Sequence, residues 1–68
     1  MTKAFMVRCV GPDTIRFCGV LADTAIAAKA AARTVYPAAD SYEPEETVLS
    51  DETIRDYGLT PGGGARIF

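Results

Sequence analysis

Apolar and polar positions alternate in two runs near the start of the chain, residues 3–10 (KAFMVRCV) and 14–21 (TIRFCGVL). Both are rich in β-branched and aromatic residues. The Gly11-Pro12-Asp13 between them is turn chemistry, because proline presets φ while glycine and aspartate tolerate tight backbone. An N-terminal β-hairpin follows. A loop of residues 11–13 sets Val10 opposite Thr14, Cys9 opposite Ile15, Arg8 opposite Arg16 and Val7 opposite Phe17. Phe5, Val7, Cys9, Ile15, Phe17 and Leu21 then share the face expected to form the core. Ala4, Met6, Arg8, Val10, Thr14, Arg16, Cys18 and Val20 share the other. Sliding the pairing by one residue would carry Ile15 and Phe17 to the face of Arg8, so the apolar pattern favours the first register.

Asp23 or Thr24 is suited to cap a helix that runs to about Tyr36, where Pro37 ends it. The stretch is dense in alanine, and its helix propensity is correspondingly high. Ala25, Ala28, Ala32 and Val35–Tyr36 form its best inner stripe. Residues 37–47 (PAADSYEPEET), with two prolines and few apolar groups, read as loop. Val48-Leu49 is an apolar point suited to a short edge strand. Residues 51–59 read as a helical turn capped by Ser50 or Asp51 and closed by Gly58 in the left-handed conformation. After the flexible Pro61-Gly62-Gly63-Gly64, residues 65–68 form a short last strand. The expected core is Phe5, Val7, Ile15, Phe17, Leu21, Ala25, Ala28, Ala32, Val35, Ile54, Leu59 and Ile67.

The chain has 68 residues, enough for one thin-cored domain over 1–68. Hydrophobic residues at 49% and charged ones at 24% mark it as a folding rather than a disordered sequence. No apolar run approaches the ~20 residues that a membrane span needs. Histidine is absent, which removes the usual general base and the commonest zinc ligand. The serines and threonines therefore lack a base, and the acidic cluster lacks a rigid cleft. Neither a calcium-loop nor a phosphate-loop spacing occurs. The expectation is a non-enzymatic protein without catalytic residues, cofactor or metal. In the chosen register Cys9 faces the core and Cys18 faces away, so no intrachain disulfide is expected, and the thiols suit the reducing cytoplasm.

The order strand, strand, helix, short strand, helical turn, strand resembles the β-grasp fold of ubiquitin-like proteins. The carrying residues are the Gly-containing turn before Thr14-Ile15, Asp23-Thr24 with Lys29-Ala30 in the helix, and the Leu49-to-Leu59 segment with its Asp56-Tyr57. The resemblance implies an α+β domain. It has an N-terminal hairpin, a central Ala-rich helix on a mixed sheet, and a short C-terminal strand beside the first strand. It is closest in kind to small ubiquitin-like accessory subunits that bind partner proteins. The sequence ends without Gly-Gly, and the internal Gly62-Gly63-Gly64 does not supply the terminal carboxylate that carrier chemistry activates. A modifier or sulfur carrier with a processed C-terminus is therefore the alternative.

Charge is distributed unevenly. Residues 40–56 carry −6 and the remainder +4, within a net −2 that disfavours direct nucleic-acid contact. Two surfaces are therefore expected to bind another protein. The first is an arginine and apolar sheet face of Met6, Arg8, Arg16, Cys18, Val20, Arg66 and Phe68, suited to a larger complex or to self-association. The second is an acidic loop surface of Asp40, Glu43, Glu45 and Glu46, suited to a basic partner and to inhibition of a nucleic-acid-binding protein.

Overall fold

A computed structural model describes residues 2–66, with 65 and 66 described through their backbone alone. It is a small α+β domain in the order β1 (Lys3–Val10), β2 (Ile15–Ala22), α1 (Ala25–Val35), β3 (Ser41–Thr47), α2 (Asp51–Asp56) and β4 (Gly64–Arg66). The strands form one sheet in the order β3-β1-β2-β4. Each strand pairing is antiparallel, and the only parallel element among the described residues is an isolated bridge between Leu21 and Pro61. The sheet is thus not the mixed one expected, and β4 lies beside β2 rather than beside β1.

The hairpin is present, but its register differs from the expected one. Val10 pairs with Ile15, Arg8 with Phe17, Val7 with Cys18 and Phe5 with Val20. The connection has one more residue than expected, and its Gly11 N–H donates to the Thr14 carbonyl at 2.8 Å. That single step moves every β2 side chain to the opposite face. Cys18, Val20 and Ala22 enter the core, while Ile15, Phe17 and Leu21 leave it.

The helix supplies the reason. Thr24 caps α1, its hydroxyl accepting from the Ala27 N–H at 3.2 Å, and Ala28, Ala31 and Ala32 form the buried face. An alanine face lies close to the sheet, and a close-packed interior leaves room there only for small side chains. Cys18, Val20 and Ala22 fit that space, where Phe17 and Leu21 would overfill it. Phe5 fills the space beneath the helix from β1, alongside Val7 and Cys9, and Tyr42 adds a second buried ring from β3. Ala25, expected inside, is exposed, and Val35 is only partly buried against the cluster. Ile54 is half-buried, Leu59 is buried as expected, and Ile67 lies outside the described residues.

Residues 41–47 are a strand rather than a loop. Pro44 is compatible with this because β3 is an edge strand, where a missing N–H is tolerated, and its glutamates discourage pairing with other chains. Tyr42 holds β3 to the helix. Its ring is buried, its hydroxyl donates to the Tyr36 carbonyl at the end of α1, and the Arg33 guanidinium sits 5.5 Å from the ring centre. Replacing Tyr42 with phenylalanine should cost roughly 1 kcal/mol in urea unfolding, since it strips a partner from a carbonyl at the helix end. An unchanged urea midpoint would mean that this hydroxyl contributes nothing.

The chain returns from β3 to the far side of the sheet through 48–63. Ser50 caps α2, accepting from the Thr53 N–H at 3.1 Å. Gly58 closes it at φ +64°, as the sequence predicts. The segment then meets β2 near its end, where the Gly62 N–H donates to the Leu21 carbonyl at 2.7 Å. Among the described residues α2 packs against neither α1 nor any strand. No helix among them is long and apolar enough to cross a membrane.

Candidate functional site

Because α1 packs on one face of the sheet and α2 packs on none of it, the second face has no helix over it among the described residues. Alternation decides what that face carries. From β1 it takes Ala4, Met6, Arg8 and Val10, and from β2 Ile15, Phe17, Gly19 and Leu21. From β3 it takes Ser41, Glu43, Glu45 and Thr47. Ile15 is 52% exposed, and Met6, Val10, Phe17 and Leu21 are half-buried, each shielded in part by its neighbours. The outcome is an apolar strip along β1 and β2 bordered by carboxylates on the β3 edge.

Arg8 and Glu43 stand directly across the strand pair, with Nε and Oε2 4.0 Å apart. Both side chains are about half exposed, so the pair adds little stability and mainly sets where charge sits. Met6, Arg8, Phe17, Glu43, Pro44 and Glu45 line a depression of about 370 Å³ on this face. Met6, Phe17 and Pro44 give it apolar lining, and Arg8, Glu43 and Glu45 give it charged lining of both signs.

The two surfaces expected from the sequence thus become one. Met6 and Arg8 from the sheet set, and Glu43 and Glu45 from the acidic set, lie together. The rest of the sheet set is placed elsewhere. Cys18 and Val20 are fully buried on the helix side, and Arg16 stands opposite Cys9 on that same side rather than opposite Arg8. Arg66 is placed by its backbone opposite Cys18, and Phe68 lies outside the described residues. Glu46 registers with Phe5 and reaches Lys3 at 3.8 Å, so it borders the helix side. Asp40 is exposed just before β3, its N–H donating to the Val10 carbonyl at 2.7 Å. Ile15, Phe17, Leu21 and Val10 belong to the face opposite α1, although the sequence pattern places all but Val10 in the core. The signal for the first three lay in the alanine helix, whose small side chains call for small partners on β2.

A second recess of about 330 Å³ opens at the hairpin end, lined mainly by apolar groups that include Cys9, Pro12, Val35 and Tyr36, with Arg16 at its border. Both cysteines are free and buried. Burial raises the Cys9 thiol above its ordinary range, because the desolvated thiolate is disfavoured, so this sulfur is a packing group rather than a nucleophile. No protein-family model matches this chain, and neither the curated proteins nor the solved structures yield a match.

Proposed function

We propose that the chain is a non-enzymatic protein-binding module, an accessory subunit, adaptor or small inhibitor, that works through its uncovered sheet face. One observation carries this reading: a contiguous strip of Met6, Val10, Ile15, Phe17 and Leu21 lies on the side of the sheet without a helix. In a chain of 68 residues with a thin core, large apolar side chains are scarce. Placing several of them together on the outside favours a surface that another protein covers. Arg8 beside them adds to this, since arginine with apolar and aromatic groups typifies interface centres. The acidic β3 border selects among partners and speeds encounter more than it adds affinity. Two free thiols suit a reducing cytoplasm as the place of action.

The test compares what is captured from the source cell by the wild-type chain, by Ile15→Glu/Phe17→Glu, and by Asp51→Asn/Glu52→Gln. Proteins held by the wild type and by the α2 variant, but lost from the sheet-face variant with its circular dichroism unchanged, are the expected outcome. Equal capture by all three rules the face out as the binding surface.

A further inference from the structure

The charged side chains on the uncovered face are Arg8, Glu43 and Glu45 among the described residues. Arg8 is already engaged with Glu43, and Glu45 has no ion-pair partner among the described residues, which leaves the face with a net charge of −1. A second copy of the chain is a poor occupant. It would bring two surfaces of like sign together, with no cation beyond the two already committed arginines. An added strand is also poorly served, because the open β3 edge carries Pro44 and glutamates. The depression beside Met6 and Phe17 instead matches a long basic side chain. Its methylene stem would lie along Met6 and Phe17, and its cation would meet the Glu43 and Glu45 carboxylates.

Resting on the reading that this face binds protein, we propose that its occupant is a basic amphipathic helix of the partner. The helix lies along β2 with its apolar stripe on Ile15, Phe17 and Leu21 and its Lys/Arg border over Glu43 and Glu45. The dimensions agree. The 8 residues of β2 extend about 26 Å, and a helix of about 18 residues is about 27 Å long. The complex would sandwich the sheet between two helices, α1 on one side and the partner's on the other.

Two synthetic peptides of about 18 residues and one amphipathic pattern, Leu/Lys and Leu/Glu, serve as probes against the ¹⁵N-labelled full chain. The Leu/Lys peptide should shift the amides of Met6, Phe17, Gly19, Glu43 and Glu45 and bind at least about tenfold tighter than the Leu/Glu peptide. Glu43→Gln/Glu45→Gln should weaken it by about tenfold, whereas Asp51→Asn/Glu52→Gln, removing the same charge from α2, should change it less than about twofold. Equal losses in the two variants would show attraction to net charge alone and overturn the proposal. Equal binding of both peptides at this face overturns the basic helix but keeps the face as a protein-binding surface. Shifts confined to other residues overturn both. Concentration-dependent dimerisation of the free chain, with these same amides shifting, overturns the partner helix in favour of a second copy.

Discussion

Replacing Phe5 with alanine is expected to unfold the domain, while the same change at Phe17 leaves it folded. Phe5 is 4% exposed and is, with Tyr42, one of the two buried rings in the cluster beneath α1 among the described residues. Truncating a buried phenylalanine costs about 3–5 kcal/mol, part lost transfer energy and part cavity. A domain of this size has about 3–5 kcal/mol in total. The two quantities are equal within their spread, so Phe5→Ala should show little cooperative melting by circular dichroism at room temperature. Phe17 is half-buried on the face opposite α1, so its removal takes less surface out of the protein interior than the loss of Phe5. Its loss should amount to about 1 kcal/mol, visible as a lower urea midpoint with the native spectrum intact. The reverse ranking would place the hairpin in the register that sets Val10 against Thr14.

The second large effect concerns Gly64. A methyl group there would lie 3.0 Å from the Cys18 Sγ, 3.1 Å from Val20 Cγ2 and 3.4 Å from Val35 Cγ2. Cys18 and Val20 are fully buried, and valine is stiff at χ1, so neither yields easily. Overfilling of this kind costs about 1–3 kcal/mol. The entropy that alanine removes from the unfolded chain offsets about 0.4–1 kcal/mol of it. Gly64→Ala should therefore be destabilising by about 1–2 kcal/mol. Cys18→Ala makes room for the added methyl, so the double variant should be more stable than the sum of its single losses implies. Strict additivity in that cycle, or a stabilised Gly64→Ala, would mean that β4 does not run beneath the helix beside Cys18.

Much of the architecture is legible in the residues. The hairpin, the Thr24-capped alanine helix, the Ser50 cap and the left-handed Gly58 follow from local preferences that tertiary packing reinforces. The β3 strand was obscured by its prolines. The alternation of Tyr42 and Pro44 with Glu43 and Glu45 was present, but a proline argues against a strand unless the strand is known to be an edge. The candidate site was half legible. Met6, Arg8, Glu43 and Glu45 could be named as surface, but nothing local brings 41–47 next to β1.

The amino-acid order by itself determined the two hairpin strands, the two helices, and how charge divides between 40–56 and the rest, because these are properties of neighbouring residues. Which face of β2 is buried was decided only by the tertiary structure. Alternation alone favours the register that would bury Ile15, Phe17 and Leu21, and one residue in the connection separates it from the register the chain adopts. The choice belongs to the helix, whose alanines approach the sheet too closely for Phe17 and Leu21 and so turn them outward to form the binding face.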